Sequence, residues 1–166
     1  LLAYLQQEQI FTRAVVRKCQ NNTLPCNQVV VGELLPETSC DVWLDGIDTV
    51  FYLAGTAHLS ADAKQYEADH LAAVHFARLA AELGVQRFVF VSTVKASENS
   101  SAKPTEPYGY WKQKTEETLS ELDIPHLAIV RPCLVYGAGV KGNVLKMIVA
   151  IEKGYFPPLP AMQARR

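Results

Sequence analysis

Tyr108 and Lys112 stand at positions i and i+4 of the stretch Pro107-Tyr108-Gly109-Tyr110-Trp111-Lys112. In a helix both side chains project from one face, one above the other. An ammonium within about 4–6 Å of a phenol favours the phenolate and can lower its pKa by roughly 1–3 from a reference near 10. A phenol so tuned can give a proton to, or take one from, a carbonyl/alcohol pair near neutral pH. The same spacing also arises by chance on solvated helices, so the pair gains meaning only from its neighbours. Ser92-Thr93 close one apolar run upstream, and Arg131-Pro132 close another downstream.

The elements that would position these groups follow from the pattern of the chain. A helix is expected over Leu1 to Leu5. Arg13 to Arg17, β-branched in its middle, and Gln28 to Val31 read as short strands. A short helix is expected from Ser39 to Leu44. Thr49 to Leu53, closed by Ala54-Gly55, is an uninterrupted apolar run of the kind found in strands buried on both faces. The alanine- and leucine-rich stretch from Ala61 to Leu83 is the longest expected helix, with Gly84 as the residue that ends it. Arg87 to Ser92 is the clearest strand. The polar stretch from Ala96 to Pro107 reads as an irregular functional loop. A helix from Tyr108 to Leu122, a strand from His126 to Arg131 and a helix from Gly142 to Lys153 complete the series. Strands alternating with helical crossovers define an α/β fold with a parallel sheet. Ligands of such sheets bind outside the carboxyl ends of the strands, where Ala54-Gly55, Ser92-Thr93 and Arg131-Pro132 all fall.

With 166 residues the chain has the size of one domain. Its 16 basic and 17 acidic residues are dispersed, which argues against a nucleic-acid or membrane-surface partner. No run of about 18 apolar residues predicts a membrane span. Cys19, Cys26, Cys40 and Cys133 have no metal-ligand spacing and read as reduced thiols of a cytoplasmic protein, with Cys133 expected to be buried. His58, His70, His75 and His126 form no ligand set and are expected at the surface or the core edge.

Three segments in one order carry a resemblance: Gly84-Val85-Gln86-Arg87-Phe88-Val89-Phe90-Val91-Ser92-Thr93, then Pro107-Tyr108-Gly109 with Lys112, then Arg131-Pro132-Cys133-Leu134-Val135-Tyr136-Gly137-Ala138-Gly139. Together they resemble the extended short-chain dehydrogenase/reductases, in particular the nucleotide-sugar epimerase/dehydratase branch. The resemblance implies a Rossmann-like doubly wound sheet, an NAD or NADP cofactor, a nucleotide sugar such as a UDP-sugar as substrate, and a homodimeric parent. By the same resemblance Tyr108 is the acid/base, Lys112 holds the nicotinamide ribose and lowers the tyrosine pKa, and Thr93, with Ser92 beside it, positions the substrate oxygen. Glu33-Leu34, Leu53-Ala54-Gly55 and Pro132 are similar to the family's cofactor-lining turns. Asn143 is similar to a residue that contacts the substrate diphosphate, although an Asn near a helix start also serves as a cap. Arg17, followed by Lys18, stands where a 2′-phosphate could be met, which leaves NAD and NADP both open.

Departures from the family pattern are equally specific. The first strand and its glycine-rich turn have no counterpart before Leu1, and the sugar-binding half has none after Arg166, so an internal fragment is expected. Trp111 occupies a position usually held by a small residue, where its ring could crowd the nicotinamide pocket or turn to the core. Asp69 stands where asparagine is commoner. Val94-Lys95 replace the acidic pair of the dehydratases, which leaves 4-epimerisation or 4-keto reduction as the expected reaction. The alternative is a non-catalytic dinucleotide-binding or interaction module of the same fold.

Overall fold

The computed structural model describes residues 1–18, 24–56, 63–98, 107–133, 135–137, 139–140 and 143–155. By internal contacts the chain divides into two units, Leu1–Arg131 and Pro132–Arg166.

The first unit contains α1 (Leu2–Gln7), β1 (Arg13–Val16), β2 (Gln28–Val31), α2 (Asp41–Leu44), β3 (Thr49–Tyr52), α3 (Ala63–Glu82), β4 (Arg87–Val91), α4 (Lys95–Glu98), α5 (Pro107–Ser120) and β5 (His126–Val130). β3, β4 and β5 form a parallel sheet in that order, with Tyr52 opposite Phe90 and Val91 opposite Val130. β1 and β2 form a second parallel pair, with Arg13 opposite Gln28. In the order 3-2-1-4-5-6 of doubly wound sheets, β1 and β2 take places two and three, and β3 to β5 take places four to six. The break between the two sheets falls between β2 and β3 in chain order.

The crossovers β3-α3-β4 and β4-α5-β5 lay both helices on one face of the three-stranded sheet. That face is the core. Tyr52, Phe88 and Phe90 pack with Phe76, Ala77 and Ala80 of α3 and Leu119 of α5. The buried α3 residues Tyr66, His70, Ala73, Ala77 and Ala80 recur at three- and four-residue steps, the period of one helix face. The opposite face corrects the expectation of strands buried on both sides. Phe51 and Val130 are 42% and 45% exposed, because both described crossover helices cover the same side.

α3 ends as its sequence predicts. Gly84 adopts φ +78°, its N–H donates to the Ala81 carbonyl, and Val85 N–H reaches back to Ala80 O at 2.9 Å. These two bonds satisfy two of the last carbonyls of the helix, and Val85 is buried as the motif's apolar contact. A second correction concerns the stretch read as irregular from Ala96 to Pro107. Its start belongs to the one-turn helix α4, opened by Thr93, whose carbonyl accepts the Ala96 N–H at 3.1 Å. Residues 99–106 of that stretch lie outside the described residues.

The second unit contains α6 (Asn143–Glu152), which ends at Gly154 with φ +72°. Cys133, expected to be buried, is exposed, since it lies in a non-strand segment. Among the described residues no helix is long and apolar enough to cross a membrane.

Candidate active site

α5 presents Tyr108, Lys112, Thr115, Glu116 and Leu119 toward the sheet and α3, and of these Thr115, Glu116 and Leu119 are fully buried. The face follows from helical steps of three and four residues. Lys112 Nζ donates to the carbonyl of Val91, the last residue of β4, at 3.0 Å, and stands 4.6 Å from the centre of the Phe90 ring. The ammonium is thereby fixed at the carboxyl end of the sheet by a hydrogen bond and a cation–π contact. Ser92 and Thr93 continue the chain from that point. Ser92 N–H donates to Val130 O at 2.8 Å, and its buried Oγ has no partner among the described residues. Thr93 Oγ1 accepts the Lys95 N–H at 3.4 Å.

Tyr108 departs from its expected electrostatics. Its phenol is held above the usual range, first by burial and then by the neighbouring Tyr66, whose ring centre is 5.7 Å away. Lys95 is the cation that opposes this rise, and Asp69 adds to it. The Lys112 ammonium, which the i, i+4 spacing set beside the tyrosine, is directed to the Val91 carbonyl and the Phe90 ring. Lys112 itself is held below the ordinary lysine range by burial, against the pull of Asp69 and Glu116.

Asp69 enters the same site from α3. Its Oδ2 accepts the backbone N–H of Thr56 at 2.6 Å, and its Oδ1 accepts from Gln65 Nε2 at 3.3 Å. Gly55, just after β3, has φ +138°, a conformation that suits glycine. A Cβ there would lie 3.6 Å from Lys112 Nζ and 3.8 Å from Asp69 Oδ2, so the glycine lets the turn approach both charged ends. Tyr52, Asp69, His70, Tyr108 and Lys112 are among the residues that line a cavity of about 20 Å³ at this point.

Two further pairs brace α5. Thr115 Oγ1 donates to Trp111 O at 2.7 Å, so its oxygen accepts from His70 Nδ1 at 3.0 Å, which assigns the neutral ring its Nδ1–H tautomer. His70 is buried, where the sequence reading placed it at the surface or core edge. The Trp111 ring lies 5.4 Å from the His70 ring and 5.4 Å from that of Tyr110, with Lys114 Nζ 4.8 Å from its centre. It thus packs in the seam between α3 and α5. Glu116, buried, receives Arg131 Nε at 3.0 and 3.1 Å on its two oxygens, and the Arg131 guanidinium also bonds Oε2. Asp69 drew notice in the sequence only as a departure, and Glu116, Thr115 and Lys95 drew none in these roles. The spacing of Glu116, one helical turn after Lys112, was the available signal.

Of the other sequence-predicted residues, Ala54 lines the cavity. Leu53 is 61% exposed beside it in sequence, Glu33 is exposed after β2, and Leu34 packs against the core. Arg17 is exposed at the end of β1. Pro132 and Asn143 belong to the second unit.

Parallel strands with crossover helices and polar groups gathered at their carboxyl ends define the class of Rossmann-like α/β proteins. The sequence model of the NAD dependent epimerase/dehydratase family matches residues 1–161, and the chain belongs to that family. It is 29% identical over 151 residues to UDP-glucose 4-epimerase of Vibrio cholerae, an alignment that takes in 78% of this chain and 45% of that protein. It is 35% identical over 97 residues to the mitochondrial protein fmp-52 of Neurospora crassa, covering 57% of this chain and 39% of that one. The chain thus spans less than half the length of these curated relatives. Among solved structures, MoeE5 in complex with UDP-glucuronic acid and NAD shares the fold, with a TM-score of 0.73 and 21% identity over 89% of this chain and 55% of that chain.

Proposed function

We propose that this chain is the cofactor-binding part of an NAD(P)-dependent enzyme that moves a hydride at a sugar carbon of a nucleotide sugar, as a 4-epimerase or a 4-ketoreductase. The observation that carries the reading is the seating of Lys112 on the Val91 carbonyl, which brings the Tyr108–Lys112 face of α5 to the strand end continued by Ser92 and Thr93. The relatives support the choice of substrate and cofactor, one named as a UDP-glucose 4-epimerase and one solved with a UDP-sugar and NAD.

The residues present fit a dinucleotide. Ser92 Oγ is a buried hydroxyl without a protein partner among the described residues, and the missing Cβ of Gly55 keeps the approach to Lys112 open. Lys112 would hold the nicotinamide-side ribose, and Ala54-Gly55 would line its path. A bound nicotinamide supplies the acceptor and donor of hydride. Thr93 would orient the substrate oxygen by its hydroxyl, which now accepts only the long 3.4 Å contact from Lys95 N–H among the described residues. Tyr108, whose phenol burial keeps protonated, is set to give its proton to a carbonyl oxygen, the half-reaction that a ketoreductase and the return step of an epimerase share.

The raised phenol also favours a second reading, a dinucleotide-binding module without turnover, since among the described residues burial outweighs the pull of Lys95 toward the phenolate needed for the opposite step. Titration of the full-length protein with NADH and NADPH, followed by cofactor fluorescence, separates the readings from the outset. Saturable binding, followed by cofactor oxidation on adding a UDP-4-keto-hexose, is expected. Binding without turnover on any UDP-hexose or keto-sugar selects the module, and no binding of either cofactor refutes both.

A further inference from the structure

We propose that Asp69 is a positioning residue of this site, its carboxylate pinning the Gly55-Thr56 turn to α3 and serving as the counter-charge of the Lys112 ammonium. The inference rests on the proposed reaction only where turnover is measured.

Two observations converge. The first is mechanical. Asp69 Oδ2 takes the Thr56 N–H at 2.6 Å, so a turn that follows β3 is fastened to a helix thirteen residues further along the chain. The turn is sharp, with Gly55 at φ +138°, and a charge-assisted bond to the next N–H holds it in one conformation. The second is electrostatic. Lys112 Nζ and Asp69 Oδ2 approach the same point beside Gly55, from α5 and α3. An ammonium taken out of water needs a paired charge or a full set of acceptors, and a carboxylate offers about four acceptor sites. Thr56 and Gln65 use two of those on Asp69.

Among the described residues, the other groups facing Lys112 do not take this part. On α5, Glu116 is already met by the two-pronged bond from Arg131. Tyr108 is neutral, as is Tyr52 of β3, whose phenol burial raises above the usual range. On α3, Tyr66 lies against Tyr108, and His70 is kept neutral by burial. Lys95 of α4 carries the same sign as Lys112. Among the described residues Asp69 is thus the carboxylate left to answer the ammonium, and its influence on Lys112 and on Tyr108 has one direction, holding the proton on both. An asparagine would keep an acceptor for Thr56 N–H and lose that charge, which is why a carboxylate here matters.

The test uses full-length protein and two variants. Asp69→Asn removes charge and keeps an acceptor; Asp69→Ala removes both. Titration of the Lys112 side-chain signals by carbon-detected NMR in labelled protein, assigned by their loss in Lys112→Arg, needs no turnover. In Asp69→Asn, Lys112 is expected to titrate at a pH lower by about 1, the small end of the effect of a nearby opposite charge. An unchanged titration overturns the counter-charge role. In turnover the alkaline limb of the pH profile should move to lower pH in Asp69→Asn, because Tyr108 and Lys112, both needed protonated for the reduction, lose a charge that held their protons. A lower rate with a fixed alkaline limb would reduce Asp69 to a structural support and overturn the proposal. NADH affinity should fall about fivefold in Asp69→Ala, as expected for one lost hydrogen bond, and stay near wild type in Asp69→Asn. Equal affinity in all three proteins overturns the pinning role. A wild-type protein without turnover refutes the proposed function, while the NMR titration still decides the role of Asp69.

Discussion

His70 is held neutral in the folded protein, first by burial and then by Lys114, with Glu67 opposing, so it sits below its ordinary value of 6.5. The unfolded chain therefore binds a proton at a higher pH than the folded one, and stability must fall as pH drops below about 6.5. The Nδ1–H bond to Thr115 survives protonation, so the cost arises from charging a buried ring near a lysine. We expect His70→Gln to shrink the loss of stability between about pH 7.5 and about pH 5.5, read from urea melts at each pH. An undiminished loss would mean that the acid sensitivity lies elsewhere. Residue roles were only partly legible in the sequence. Tyr108, Lys112 and Thr93 stood out because their spacing and order are local facts. The charge environment was not local. Lys112 turns to Val91 O, Arg131 after β5 reaches Glu116 of α5, and Asp69 reaches back to Thr56, each set by packing between separate elements.

At the scale of elements, β3, β4 and α3 were legible because apolar runs mark strands and three- and four-residue steps mark a helix face. The glycine that terminates α3 was legible, with the helix ending at Glu82 where Leu83 was expected. Gly84 at φ +78° is required there, and a Cβ on it would meet nothing within 4 Å. Gly84→Ala should therefore cost only the left-handed backbone penalty, about 1–2 kcal/mol, measurable by denaturant melts. A loss near zero would show that the turn readjusts. α4 was hidden because four residues in a polar stretch, Lys95-Ala96-Ser97-Glu98, carry no period. The exposed side of β3 and β5 was hidden for a different reason. Apolar runs report what a strand could bury, whereas Phe51 and Val130 depend on which face the crossover helices cover.

For the whole molecule, the two parallel sheets and the family match set the class, and the seating of α5 on β4 sets the chemistry proposed for it. If Tyr108 moves the proton, its hydroxyl must be indispensable to turnover and nearly irrelevant to cofactor affinity, since Lys112 and the Gly55 turn remain. The most direct measurement is turnover of a UDP-4-keto-hexose by full-length Tyr108→Phe, with NADH or NADPH affinity measured on the same sample. The rate should fall by about 10²–10⁴, the range of general acid–base catalysis, at near wild-type affinity. Wild-type turnover in that variant would contradict the acid/base role of Tyr108.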